Sequence, residues 1–385
     1  MLTLTGLFAF PALLPTFLND WSLSNAEAGW ISGIPLLANA LCVSILVSLT
    51  DKIDARLIFG AGAVLGAVSL AGFALFADGF WSAMILRILS GVAMAATYMP
   101  GLRVLVDRYK GDTQSRAVAL YTASFSLGTA LSYFVAGEIG SEFGWQAAFW
   151  VSAAASLASA ALVLPLGAIV PQRPQDPGSV LDIRPVLRNR AAMAYVIAYA
   201  AHGWELFGLR GWVVAFLAFS VTLQPESAVW PSPTLVATLG AIVAMICSIS
   251  GNEWAERYGR RRMVVIYMLS AAVLAMVLGF LPGLPYLVVV ALILVYSGLV
   301  QLDSASLTAG AVQAAEPGRR GATLGVHSFI GFAGGAMGPL FVGIVLDATG
   351  GGQSIASWGA GFIAMGAICL VAPLAFLMGP RPEKG

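Results

Sequence analysis

Four charged side chains stand inside stretches that are otherwise apolar: Arg87, Glu205, Arg210 and Asp303. A charge within a membrane segment costs roughly 2.5–3.5 kcal/mol on insertion scales, so such groups face a cavity or a partner. Two acids and two bases so placed suit proton transfer, because an arginine moving toward or away from a carboxyl changes which form of the acid is favoured. Glu205 and Asp303 are the candidate proton carriers. Arg87 either modulates them or binds an anionic substrate directly. The alternative for the acids is a static salt bridge between helices. His202 lies one turn before Glu205 and either extends a relay or serves as a hydrogen-bonded packing residue. Tyr98 shares a face with Arg87, Gly91 and Ala95 at helical spacing, and Tyr296 precedes Asp303 by seven residues, again near one face. Arg210 either belongs to this group or snorkels to a surface. His327 has no acidic neighbour in sequence and reads as structural, and Cys42, Cys247 and Cys369 read as small hydrophobes.

The elements that must carry these residues follow from composition. Of 385 residues, 59% are hydrophobic and 10% charged, too little charge to coat a soluble protein of this size. The net charge of +1 gives no basic field for nucleic acid. Two histidines and three scattered cysteines form no metal-ligand or disulfide pattern, so no metal or cofactor is expected. With no nucleophile–base pair and no phosphate-binding loop, the chain does not read as an enzyme, and energy must come from a gradient. A span needs ~20 helical residues. Polar breaks divide the chain into 1–19, 25–49, 57–77, 80–105, 114–137, 145–170, 190–219, 232–250, 262–281, 285–311, 321–345 and 354–378, which predicts an all-α membrane protein of twelve transmembrane helices. The Pro- and charge-rich stretch 171–189 reads as a linker between a bundle at 1–170 and a bundle at 190–385. Met1 opens straight into apolar residues with no Lys or Arg before them, unlike a cleaved leader.

Every Lys and Arg other than Arg87 and Arg210 sits at or near alternate segment ends, while the opposite loops carry acids such as Asp20, Glu27, Asp78 and Asp347. The positive-inside rule makes the basic side, with both termini, cytoplasmic. Counting ~1.5 Å per residue then places Arg87 and Glu205 in the outer half, Asp303 in the inner half and Arg210 near the outer surface.

The halves repeat each other. VSLTDKIDAR (47–56) corresponds to NEWAERYGRR (252–261), and DTQSRA (112–117) to EPGRRG (316–321). Parallel repeats are a known build for secondary transporters, with the substrate site between the halves. These loops resemble the Gly-x-x-x-Asp-Arg/Lys-x-Gly-Arg-Arg/Lys signature of the major facilitator superfamily. The first copy keeps Asp51, Lys52 and Arg56 but has Val47 and Asp54 where glycines are usual; the second keeps Gly259, Arg260 and Arg261, with Glu256 for Asp. Arg87-Ile-Leu-Ser-Gly91 is similar to the family's Arg-x-x-x-Gly motif, and GGAMGP (334–339) to its Gly-Pro hinge, here in the eleventh segment rather than the fifth.

The resemblance implies two pseudo-symmetric six-helix bundles whose first, fourth, seventh and tenth helices line a central cavity. Arg87, Glu205, Arg210 and Asp303 fall on three of these. It also implies a cytoplasmic gate, with Asp51, Lys52, Arg56 and Arg103 in one half and Glu256, Arg257, Gly259 and Arg260 in the other; the plainer alternative is that the bases only orient the helices. The expected function is secondary active transport of a small polar, possibly anionic, organic solute by alternating access with proton coupling. The alternatives are a facilitative uniporter and a non-transporting receptor or scaffold. The expected setting is a bacterial inner (plasma) membrane, as a monomer whose partners are the solute, protons and lipid.

Overall fold

A computed structural model describes residues 1–109, 112–169, 183–225 and 230–378. Most of the predicted linker, 171–182, lies outside the described residues. Among those described the chain is helical throughout, with no strand.

The first apolar segment is not the continuous helix expected at 1–19. After a short turn at Leu2–Leu4 the backbone is broken through residue 8, then forms α1 (Ala9–Ala12) and α2 (Leu14–Asp20). Pro11 and Pro15 explain much of this, since each lacks the N–H that would bond four residues back and crowds the preceding turn. Long helices follow: α3 (Asn25–Leu49), α4 (Ala55–Phe76), α5 (Phe80–Val106), α6 (Asp112–Phe143) and α7 (Trp145–Val163). A short α8 (Arg184–Arg188) leads into α9 (Arg190–Thr222), α10 (Pro233–Tyr258) and α11 (Arg260–Leu278).

The segment expected at 285–311 breaks at Leu302 and Asp303 into α12 (Tyr286–Gln301) and α13 (Ser304–Gln313). Next come α14 (Arg320–Ala348), α15 (Ile355–Gly366) and α16 (Val371–Met378). Ten helices of the described chain, counting α12–α13 and α15–α16 as one each, are long and apolar enough to cross a membrane. The protein is an integral membrane protein.

Between helices in lipid, close contact of small residues replaces the hydrophobic drive. Gly334 and Gly338 of α14 lie against the carbonyls of Ala200 and Trp204 on α9, and Gly91 of α5 lies against the Pro35 carbonyl of α3. Aromatic stacks fill the acid-loop ends. Phe10 stacks on Phe17 and Phe73 on Phe149 in the first part of the chain, while Phe216 packs on Trp358 and Phe362 in the second.

The two parts of the sequence meet along α3 with α14 and along α6 with α10, with α1 and α2 touching α9. This seam is tight near the acid loops. A Cβ on Gly29 or Gly33 of α3 would run into the backbone of Pro339 or Ala336, and one on Gly343 of α14 into the backbone of Asn25. Toward the basic loops the same helix α14 loosens: a Cβ on Gly321 or Gly325 would meet nothing within 4 Å.

Candidate functional site

Arg87 is fully buried on α5, and its guanidinium goes to backbone rather than to an acid. It donates to the carbonyls of Leu7 at 2.8 Å, Gly6 at 3.3 Å and Ile31 at 3.4 Å. Two of these acceptors have a common origin. Pro11 cannot donate to the carbonyl of Leu7, nor Pro35 to that of Ile31, each four residues earlier. Arg87 thus takes up carbonyls that prolines leave unpaired in two different segments, and the expected pairing of Arg87 with Glu205 or Asp303 is not formed.

Glu205 and His202, expected on one face, point to different partners. Glu205 is buried on α9; its Oε1 accepts from the Tyr296 hydroxyl of α12 and its Oε2 from the Cys369 thiol, each at 2.9 Å. Cys369 is therefore a donor to a carboxylate as well as a small hydrophobe. His202 Nδ1 lies 2.7 Å from Asp303 Oδ1, with both side chains buried and the approach off the line of a hydrogen bond. Tyr296 and Asp303 do not share a face, because the break at residues 302–303 lies between them and makes Asp303 the N-cap of α13. Tyr199 stacks between His202 (centroids 5.5 Å) and His327 (3.9 Å), and His327 Nε2 sits 3.1 Å from the Thr308 hydroxyl. Both acids and both histidines thus gather in the C-terminal part of the chain.

Arg210 is not near a surface. Because α9 runs on to Thr222, Arg210 lies roughly 18 Å from that end, and it is only 6% exposed. Its guanidinium stands over three rings, Phe8 at 5.5 Å, Phe207 at 5.7 Å and Phe125 at 5.8 Å. Among the described residues its Nη1 has no hydrogen-bond partner. The Tyr133 hydroxyl of α6 donates to the Arg210 carbonyl. Phe8 lies in the broken first segment, with its N–H held by Ser132 of α6 at 3.0 Å, and it stacks on both Tyr133 and Phe207. Tyr98 of α5 contacts Phe125 edge-on and Tyr121, and is half-buried. Phe8 and Phe125 come from the first part of the chain and Arg210 and Phe207 from the second, so this cluster sits on the seam.

The residues expected at the basic gate pair within their own parts of the chain. Arg103 of α5 bonds Asp51 at 3.3 Å and Asp107 at 2.8 Å. Arg56 reaches Asp54 at 2.9 Å, the Leu164 carbonyl at 2.9 Å and the Leu166 carbonyl. Asp54 caps α4 and accepts from the Ile169 amide. Burial pushes its carboxyl up, but the Arg56 and Ile169 amides and then the Arg56 charge outweigh that and hold it below its usual range. Lys52 is exposed. In the second copy Arg260 joins Glu256 at 3.2 Å, Asn252 at 2.8 Å and the Ser306 carbonyl at 3.3 Å. Arg257 is exposed and lies over the ring of Tyr258. Gly259 has φ of +97° and forms the corner between α10 and α11, a backbone shape that glycine adopts without a Cβ clash.

A polar latch at the opposite end was not anticipated. Asp347, at the end of α14, accepts from the N–H of Asn25 at 3.0 Å, the N–H of Ala26 at 2.8 Å and Asn25 Nδ2 at 2.8 Å. It thereby caps α3 across the seam, beside the Ser24–Glu27 capping box. The capping box is legible in Ser-x-x-Glu; its distant partner is not.

The profile of the Major Facilitator Superfamily matches residues 1–250 and 230–385. The hexuronate transporter of Bacillus subtilis (strain 168) is 23% identical over 96% of this chain and 90% of its own length. The niacin transporter NiaP of Acinetobacter baylyi is 24% identical over 38% of this chain, which spans about a third of that relative. Among solved structures, the nucleoside transporter NupG superposes with a TM-score of 0.78 at 15% identity, covering 98% of this chain and 97% of that one. An inward-facing, unoccupied bacterial homologue of the human lysosomal transporter Spinster gives a TM-score of 0.78 at 15% identity, covering 98% and 93%.

Proposed function

Because the chain belongs to the major facilitator superfamily, we propose that it is a secondary transporter that moves a small organic solute by alternating access and couples this to protons. Twelve spans in two six-helix bundles, residues 1–170 and 190–385, rock about the seam, with the basic side and both termini cytoplasmic. The observation that carries the reading is the asymmetry of that seam. Backbone-to-backbone contact and the Asp347 cap hold the acid end, while α14 meets open space at Gly321 and Gly325. On this reading the structure is the inward-open state, with the gate bases at rest within their own bundles. The outward-open state then needs new partners for Asp51, Arg103, Glu256 and Arg260 across the basic end.

Proton coupling is supported by the gathering of Glu205, His202 and Asp303 in one bundle with no guanidinium bonded to either acid. An acid held by a phenol and a thiol, beside a histidine–aspartate contact, can change protonation without breaking a salt bridge that holds the fold. Uptake into proteoliposomes, with and without an imposed pH gradient, tests this. A gradient acid-outside should accelerate uptake, and Glu205→Gln should flatten the dependence. Equal rates with the gradient collapsed would leave a uniporter.

A further inference from the structure

We infer that Arg210 and its ring of phenylalanines form the solute site, and that the solute is a small monocarboxylate with a flat, apolar body. This rests on the reading of the chain as a transporter, and it names the class of cargo. The first observation is the unmet valence of Arg210. A buried guanidinium without an anion is costly, and Nη1 has no acceptor among the described residues. The planar fork of arginine matches a carboxylate with two parallel hydrogen bonds, so an arriving carboxylate supplies what the fold withholds. Only one charge is called for, because the other buried arginine, Arg87, already has three carbonyls.

The second observation is the wall. Phe8, Phe125 and Phe207 surround the guanidinium at 5.5–5.8 Å, and Tyr98 extends the aromatic surface from Phe125. The Tyr121 and Tyr133 hydroxyls are taken up by the backbone carbonyls of Tyr98 and Arg210, so they are not presented to a sugar-like body. Faces of rings favour a flat apolar body over a heavily hydroxylated one. Phe8 and Phe207 are buried while Phe125 and Tyr98 are half-buried. The pocket therefore closes on the Phe8 side and opens past Phe125. Its two sides belong to different parts of the chain, so a ligand held there touches both.

The test is binding of benzoate, cyclohexanecarboxylate and benzamide to the purified full chain, by calorimetry and thermal shift. Benzoate and cyclohexanecarboxylate should bind, with benzamide at least about tenfold weaker because it forfeits the charge-assisted pair. Arg210→Gln should abolish the difference between benzoate and benzamide, and Arg210→Lys should weaken benzoate about tenfold by losing the fork. Phe125→Leu keeps the cation and decides the matter if the Arg210 variants do not fold; it should weaken benzoate by about fivefold. Equal binding of benzamide and benzoate, unchanged benzoate binding in folded Arg210→Gln, or no benzoate binding at all overturns the inference. Uptake is the separate arm. Uptake of some other solute without benzoate binding removes the site and leaves the transporter. Benzoate binding with no solute carried in either direction removes the transporter and leaves the site.

Discussion

Arg87 and Arg210 are both buried arginines on membrane helices, and in the sequence they look alike. In the structure they differ in one respect. The guanidinium of Arg87 is filled by carbonyls that Pro11 and Pro35 leave without donors, whereas that of Arg210 is ringed by phenylalanines and retains an empty donor. A charge whose valence the backbone fills is part of the scaffold, and one whose valence stays open is available to a ligand. The two arginines should therefore respond to removal with opposite signs.

The largest effect is expected for Arg87→Leu. It leaves two buried carbonyls unpaired, which costs about 1–3 kcal/mol each, and thermal unfolding in detergent should show the loss as a much lower midpoint. Arg210→Leu should instead raise the midpoint, since replacing an uncompensated buried charge by a hydrophobe of similar size stabilises by about 1–4 kcal/mol. A fall comparable to that of Arg87→Leu would erase the contrast.

The same rule covers two aspartates. Asp347→Ala removes a filled cap and should cost about 1 kcal/mol. Because that cap crosses the seam, the loss should appear as faster labelling of Ala26→Cys by an impermeant maleimide; unchanged labelling would make the cap incidental. The smallest effect is expected for Asp54→Asn. The folded carboxyl is held low, so its contribution is complete above the ordinary carboxylate value near 4 and fades as pH falls through the folded value. The midpoint difference between Asp54→Asn and the parent should be constant from pH 5 to 8 and vanish in stronger acid, as titration of the midpoint would record.

Much of the fold is legible without coordinates. Low charge and apolar length announce the membrane, and Ser24 with Glu27 marks the start of α3. Prolines and glycines mark breaks but not their consequences. Pro11 and Pro35 are visible in the sequence, yet the shared partner of the carbonyls they release, Arg87, depends on how three segments meet. Helical spacing places Tyr296 near Asp303 and His202 near Glu205, and fails because it assumes an unbroken helix through residues 302–303 and says nothing of rotamers. Cys369 escapes notice because an isolated cysteine in an apolar run carries no periodic signal. The position of Arg210 is misjudged for a simpler reason: the apolar run was ended at residue 219, while α9 continues to Thr222 and the surrounding helices rise past it.

The glycines of the seam bear on something other than affinity. A carrier that exposes its cavity to one side must seal the other against water and ions, or the gradient that drives it dissipates through the protein. Gly29, Gly33 and Gly343 let two helix backbones touch with no side chains between them, leaving no room for a file of water molecules. Bulk at these positions should turn an efficient pump into a leaky one before it disturbs what the pump recognises.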